Sequence, residues 1–117
     1  MIEMTITATR AWVDVCSLTE IVPHRGVCAM VEGHQVAVFR VAPHDEVFAL
    51  SNYDPFSKAF VMSRGIVGSK GERLKVASPV YKQTFDLQTG ECIDVPAVSV
   101  PTFPVRVVEG RVQIALS

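Results

Sequence analysis

At 117 residues, the chain is long enough for one core that buries about two-thirds of its unfolded surface, and too short for two independent ones. Hydrophobic residues make up 49% and charged residues 20%, with a mean hydropathy of +0.30, which argues against disorder and leaves apolar surface over for a partner. Eleven Lys+Arg against 12 Asp+Glu give a net charge of -1, so there is no basic field to gather phosphates, and nucleic-acid binding is not expected.

Residues 1–15 carry Glu3, Arg10 and Asp14 and lack the uninterrupted apolar stretch of a secretory signal. No apolar run approaches the about 18 residues of a membrane-spanning helix, so a cytoplasmic protein with no membrane partner is expected. Cys16, Cys28 and Cys92 are odd in number and form no Cys-x-x-Cys pair. They read as small buried hydrophobes in a reducing compartment.

Ser17-Leu18-Thr19-Glu20 is a capping box that Pro23 soon cuts off, which predicts a helical turn or two and no more. Beyond it, short β-branched runs are broken by turn residues at the rhythm of a small all-β sandwich or barrel of antiparallel sheets. Residues 27–31 and 34–41 flank Glu32-Gly33, a two-residue hairpin loop with glycine where a positive φ is needed. A turn at residues 43–46 leads into a strand over residues 47–52.

From residue 53 the texture changes, with prolines at 55 and 79 and glycines at 65, 68, 71 and 90. Residues 53–91 are expected to form a loop-rich subdomain inserted into a base made of residues 10–52 and 92–117, all within one domain. Pro96, Pro101 and Pro104 predict an extended connection over residues 94–104. A second hairpin follows, with Val105–Val108 and residues 112–116 on either side of Glu109-Gly110.

Most of the chemical motifs dissolve on inspection. His24, His34 and His44 are ten residues apart beside predicted turns, a spacing that fits no metal site. The stretch from Gly65 through Lys70 to Gly71 lacks the residue order and the following helix of a phosphate cradle and reads as a glycine-rich turn between strands. Ser78 stands outside any Gly-x-Ser-x-Gly elbow, so a nucleophile with Asp54 and a histidine is not supported. Tyr81 and Lys82, adjacent on a strand, would point to opposite faces rather than share a pocket.

One pattern survives, and its chemistry has been removed. Asp54-Pro55-Phe56, Ser78-Pro79-Val80-Tyr81 and the Phe85-Asp86-Leu87-Gln88-Thr89-Gly90 turn resemble the cluster-binding region of Rieske ferredoxin domains, whose two loops read Cys-Pro-His and Cys-Pro-x-His. In that resemblance Asp54 and Ser78 fall at the cysteine places, and Phe56 and Tyr81 at the histidine places. A Rieske centre needs two thiolates and two imidazoles. A phenyl ring has no lone pair for iron, and a carboxylate is a hard ligand poorly matched to an iron-sulfide core.

This ligand-free version is similar to the small subunit of the NADH-dependent assimilatory nitrite reductases. The likeness runs from Trp12-Val13-Asp14-Val15-Cys16 through Asp54-Pro55-Phe56 and Ser63-Arg64-Gly65 to Thr89-Gly90-Glu91-Cys92. It implies a Rieske-like fold with no cofactor and no catalytic residue in this chain. The partner would be a large subunit carrying FAD, sirohaem and an iron-sulfur cluster, which reduces nitrite to ammonia. Phe56 and Tyr81 are then expected to fill the vacated pocket, with the two loops packed on each other. Phe56, Phe60, Val61, Met62, Arg64 and Ile66 are expected to form an exposed patch that meets the large subunit. The alternatives are a Rieske-type ferredoxin component of an oxygenase, which would need bound iron, and a free-standing all-β binding module.

Overall fold

The computed structural model describes residues 11–116; Glu3, and Arg10 and Ser117 at the two ends of the expected base, lie outside the described residues. The strands are β1 (Val13–Ser17), β2 (Arg25–Val31), β3 (His34–Val41), β4 (Glu46–Ser51), β5 (Tyr53–Asp54), β6 (Ala59–Phe60), β7 (Ile66–Lys70), β8 (Arg73–Ala77), β9 (Thr84–Asp86), β10 (Val105–Val108) and β11 (Arg111–Ile114). They form antiparallel sheets in the orders β1-β11-β10, β2-β3-β4 and β7-β8-β9, with β5-β6 as a short separate pair. Helix among the described residues is confined to two 3₁₀ turns, Leu18–Glu20 and Met62–Arg64. The protein is all-β, as its turn rhythm predicts.

β3 explains the layering. A strand with one wet face alternates apolar and polar residues, whereas Val36, Ala37, Val38 and Phe39 are all fully buried. Val36 and Val38 join Ile21, Val31, Ala49, Val112 and Ile114 in one core, against the β1-β11-β10 sheet. Ala37, Phe39 and Val41 join Leu50, Met62, Val76, Phe85, Leu87, Cys92 and Val100 in a second core, against β7-β8-β9. The middle sheet is therefore covered on both sides, and burying a residue such as Phe39 contributes roughly 1.5–3 kcal/mol.

Both hairpins form where their Glu-Gly pairs stand. Glu32 and Gly33 have φ of 48° and 85°, and Glu109 and Gly110 of 50° and 78°, the two successive left-handed residues of a type I′ turn whose twist matches the strands it joins. The first turn sets β2 against β3 from Arg25 opposite Arg40 to Val31 opposite His34. The second sets β10 on β11, and β11 also pairs with β1. The capping box forms in full, with Ser17 Oγ accepting from Thr19 N and the Ser17 N–H donating to Glu20 Oε1 at 2.7 Å. Arg40 ties that turn to β3 by donating to the Leu18 and Ile21 carbonyls.

The connection expected to be extended over residues 94–104 is so only in its later part: a turn at Pro96, in which Val98 N donates to the Val95 carbonyl, folds the chain back so that Cys92 N donates to the Val98 carbonyl, and the residues that follow cover the free edge of β4. Ser51 N donates to the Pro101 carbonyl and Phe103 N to the Ala49 carbonyl, each at 2.9 Å, so these edge groups are not left as a template for another chain. The cysteines do not behave alike: Cys92 is buried, Cys16 half-buried and Cys28 exposed. The expectation of three buried thiols fails because Cys28 lies on β2, an outer strand of its sheet. His24, His34 and His44 are all exposed.

Candidate functional site

Two loops face each other across the inserted region. The first, residues 55–58, connects β5 to β6, and the second, residues 78–83, connects β8 to β9. Asp54 and Ser78, distant in sequence, meet side by side: Ser78 Oγ donates to Asp54 Oδ2 at 2.5 Å. Both residues are buried, Asp54 completely.

The Asp54 carboxylate is well supplied with donors. Oδ1 accepts from the Phe56 N–H at 2.9 Å, and Oδ2 also accepts from Ser57 Oγ at 2.8 Å. Burial pushes its pKa up, but the hydrogen bonds from Ser78, Phe56 and Ser57 outweigh that and hold the carboxyl below its ordinary value. The group is an anion compensated entirely by neutral donors, which is how a carboxylate survives in a core.

Asn52 anchors the whole arrangement from behind. It is buried, and its Nδ2 donates to Gln35 Oε1 at 3.0 Å, while its Oδ1 accepts from Ser63 N at 2.7 Å. Its own N–H donates to the Gln35 carbonyl, and its carbonyl accepts from Met62 N. One side chain thus fixes β3, the start of the first loop and the Met62–Arg64 turn relative to one another. The sequence reading did not single out Asn52, although an asparagine just before a Pro-bearing loop is a residue type that bonds to nearby backbone.

Asp86 organises the turn behind the second loop. Its Oδ1 accepts from the Gln88 and Thr89 N–H groups, and its Oδ2 accepts from Arg73 Nε at 2.8 Å. The turn closes on Gly90, which has a φ of 80° and packs so tightly on the Val100 carbonyl that a Cβ would overlap it.

The expected pocket filling is half right. The Phe56 ring packs on the second core, 6.1 Å from the Phe85 ring centroid, whereas Tyr81 is 64% exposed and turned outward. Asp54 and Ser78 bond directly across the two loops, and Phe56 turns to the core beside Phe85. The second loop also closes below Tyr81, where Ser78 N donates to the Gln83 carbonyl at 2.9 Å, so residues 79–82 project away from the core.

The expected apolar patch also needs correcting. Phe60 and Ile66 are 55% and 72% exposed, Arg64 is exposed and Val61 half-buried, but Met62 is fully buried in the core with Phe39 and Phe85. Its N–H is held by the Asn52 carbonyl at the start of the 3₁₀ turn, which rotates its side chain inward while Phe60 and Ile66 stay outside. Phe60 leans on Tyr53, with ring centroids 5.1 Å apart.

The family model for the Rieske-like [2Fe-2S] domain matches residues 11–115. A nitrite reductase (NADH) small subunit from Salmonella typhimurium is 45% identical over 103 residues, covering 88% of this chain and 95% of that one. The chain belongs to the Rieske-like family, among its nitrite reductase small subunits. The solution structure of the Escherichia coli protein NirD superposes with a TM-score of 0.84 at 42% identity, over 91% of this chain and 96% of that one. A nitrite reductase [NAD(P)H] large subunit from Klebsiella oxytoca is 38% identical over 106 residues, which are 91% of this chain and 11% of that protein. The ferredoxin of a carbazole dioxygenase from Nocardioides aromaticivorans shares the fold, with a TM-score of 0.78 over 92% of this chain and 99% of that one, at 27% identity.

The donor set of this small subunit does not fit the cluster for which its family is described. Asp54 and Ser78 are bonded to each other, Phe56 offers no lone pair, and Tyr81 faces solvent. Among the described residues, no three His, Cys, Asp or Glu side chains gather in a way that could hold a metal ion. Nor does any helix among them have the length and apolarity to cross a membrane.

Proposed function

We propose that the chain is the small, non-catalytic subunit of an NAD(P)H-dependent nitrite reductase and works in the cytoplasm in nitrite assimilation. Its partner is a large subunit that carries FAD, sirohaem and an iron-sulfur cluster and reduces nitrite to ammonia. The observation that carries this reading is the Asp54–Ser78 hydrogen bond: protein groups join the two loops at the places where the resemblance puts two cluster ligands, which supports a role through contacts. Its contribution comes through contacts, by holding the partner in a competent arrangement or by stabilising it through mass action. The Klebsiella relative supports the pairing, because a domain similar to this chain is there part of a protein named as a large subunit. Residues 53–91 form the part that reaches the partner, with Phe56, Phe60, Val61, Arg64 and Ile66 at or beside the contact.

The test is to purify the large subunit with and without this chain and to follow nitrite-driven NADH oxidation and thermal stability. The complex is expected to be faster, more stable, or both, and the chain alone inactive, colourless and free of stoichiometric iron. Equal rates together with equal stability would reduce the chain to a bystander. Activity or a cluster spectrum from the chain alone would overturn the reading.

A further inference from the structure

One end of the molecule concentrates apolar side chains and positive charge. Residues 79–82 project beyond the Ser78 N–H to Gln83 carbonyl bond, which puts the exposed side chains of Val80 and Tyr81 at the outer end of the second loop. Ile66 pairs with Ala77 at the base of that loop. Gly65 lies against the Ala77 carbonyl so closely that a Cβ there would be 2.5 Å from the oxygen, and exposed Arg64 comes immediately before it. The Asp54–Ser78 bond holds the first loop alongside, where the Lys58 N–H donates to the Asp54 carbonyl at 2.7 Å. Lys58 and Lys82, one on each loop, are both exposed.

Over residues 53–66 and 78–84 the sequence holds Lys58, Arg64 and Lys82 against one acid, Asp54. That acid is buried and fully occupied with internal donors. The ion pairs of the described residues involve Arg40, Arg73 and Arg111, and none of these three cations. A protein of net charge -1 therefore carries an excess of positive charge on these two segments, with the Asp94 carboxylate, which accepts from Thr84, at the base of the second loop. Lys58 and Lys82 have φ of 59° and 64°, left-handed backbone that glycine adopts at less cost, so charge stands at both tips against the backbone preference.

We propose that this end, where Val80, Tyr81 and Ile66 are exposed on the same two segments as Lys58, Arg64 and Lys82, docks on an acid-rimmed apolar face of the large subunit. The inference rests on the reading that the chain pairs with such a subunit, and it names the face and the chemistry of contact. The positive charge argues against the other occupants. A second copy of this chain would bring the same three cations face to face, and three cations fall short of the roughly four to eight that hold a protein on an anionic membrane. Exposed Tyr81 supplies an amphipathic anchor, and the neighbouring charges steer approach and fix orientation.

The experiment measures association and dissociation rates of the whole chain on immobilised large subunit at low and high salt. The wild-type association rate should fall with added salt. Lys58→Glu with Lys82→Glu should slow association by about ten-fold or more at low salt, and Tyr81→Asp should speed dissociation. Lys58→Gly with Lys82→Gly, which suits the left-handed backbone, should reproduce part of the rate loss with the fold intact by circular dichroism. Lys70→Glu, at the far end of β7, should bind as wild type does. Wild-type binding that none of the tip variants alters would overturn the docking face and leave the pairing standing. No binding of wild type to the large subunit would overturn the pairing, and the docking face with it. Binding instead to vesicles of phosphatidylcholine and phosphatidylserine would make the tip a membrane contact and refute the proposal.

Discussion

A carboxylate as deeply buried as Asp54 persists only while its donors stay in place, which makes the Asp54–Ser78 pair the most informative place for single substitutions. Ser78→Ala removes one donor from a buried anion and should cost about 1–3 kcal/mol in urea unfolding. Asp54→Ala leaves the Phe56 N–H and two hydroxyls without an acceptor and should cost at least as much. Asp54 and Asp86 are both held below the ordinary carboxylate pKa by their hydrogen bonds in spite of burial. The unfolded chain therefore binds protons that the folded one does not. Their stabilisation is complete above the ordinary carboxylate pKa of about 4 and is lost as pH falls through the lower folded values. The urea midpoint should be flat from about pH 7 to 5 and drop below about pH 4, and Asp54→Asn should flatten that drop; a midpoint insensitive to acid would contradict the assignment. Met62 and Phe60, two residues apart, should part company in the same assay. Met62→Asp places an uncompensated charge in the core and should abolish the folded state, while Phe60→Asp, on an exposed ring, should leave the midpoint within about 0.5 kcal/mol of wild type.

At the scale of elements, local rules acted where a turn has its own chemistry and failed where tertiary packing chose a direction. Glu-Gly pairs between β-branched runs demand two left-handed residues, so both hairpins were legible in the sequence, as was the single turn capped by Ser17 and Glu20. The juxtaposition of the two Pro-bearing loops was legible too, through the family likeness rather than through any periodicity. Met62 and Tyr81 were not. Residues 60–66 mix apolar and small side chains with one arginine, Arg64, in neither a period of two nor one of 3.6, and the 3₁₀ turn held by Asn52 decides which of them faces inward. Tyr81 faces outward because the second loop closes below it at Ser78 and Gln83, a backbone bond that no residue type announces. Gly90 offers a sharp test of the element it ends. Gly90→Ala combines left-handed strain with overlap on the Val100 carbonyl and should lower stability by about 2 kcal/mol or more, read as a shifted urea midpoint with an unchanged slope. A smaller loss would mean that the connection over residues 94–104 yields easily.

For the whole molecule, β3 sets the expectation. Its alternate side chains enter both cores, so neither the β1-β11-β10 layer nor the β7-β8-β9 layer can lose its packing without uncovering one side of the same strand. Residues 53–91 are in this sense an inseparable part of the folding unit, and the docking end proposed above would be rigid before a partner arrives. Two natural probes make this measurable. The only tryptophan, Trp12, stands next to β1 with the Arg106 guanidinium 4.2 Å above its ring, in the terminal sheet, whereas both tyrosines, Tyr53 and Tyr81, lie in the inserted region. Urea unfolding followed by tryptophan fluorescence and by near-ultraviolet tyrosine absorbance should therefore give one midpoint and one slope. Phe39→Ala, which opens a cavity in the second core alone, should destabilise by about 3–5 kcal/mol and move both signals together. Separate midpoints, or a tryptophan signal unmoved by the Phe39 variant, would show two units that unfold independently.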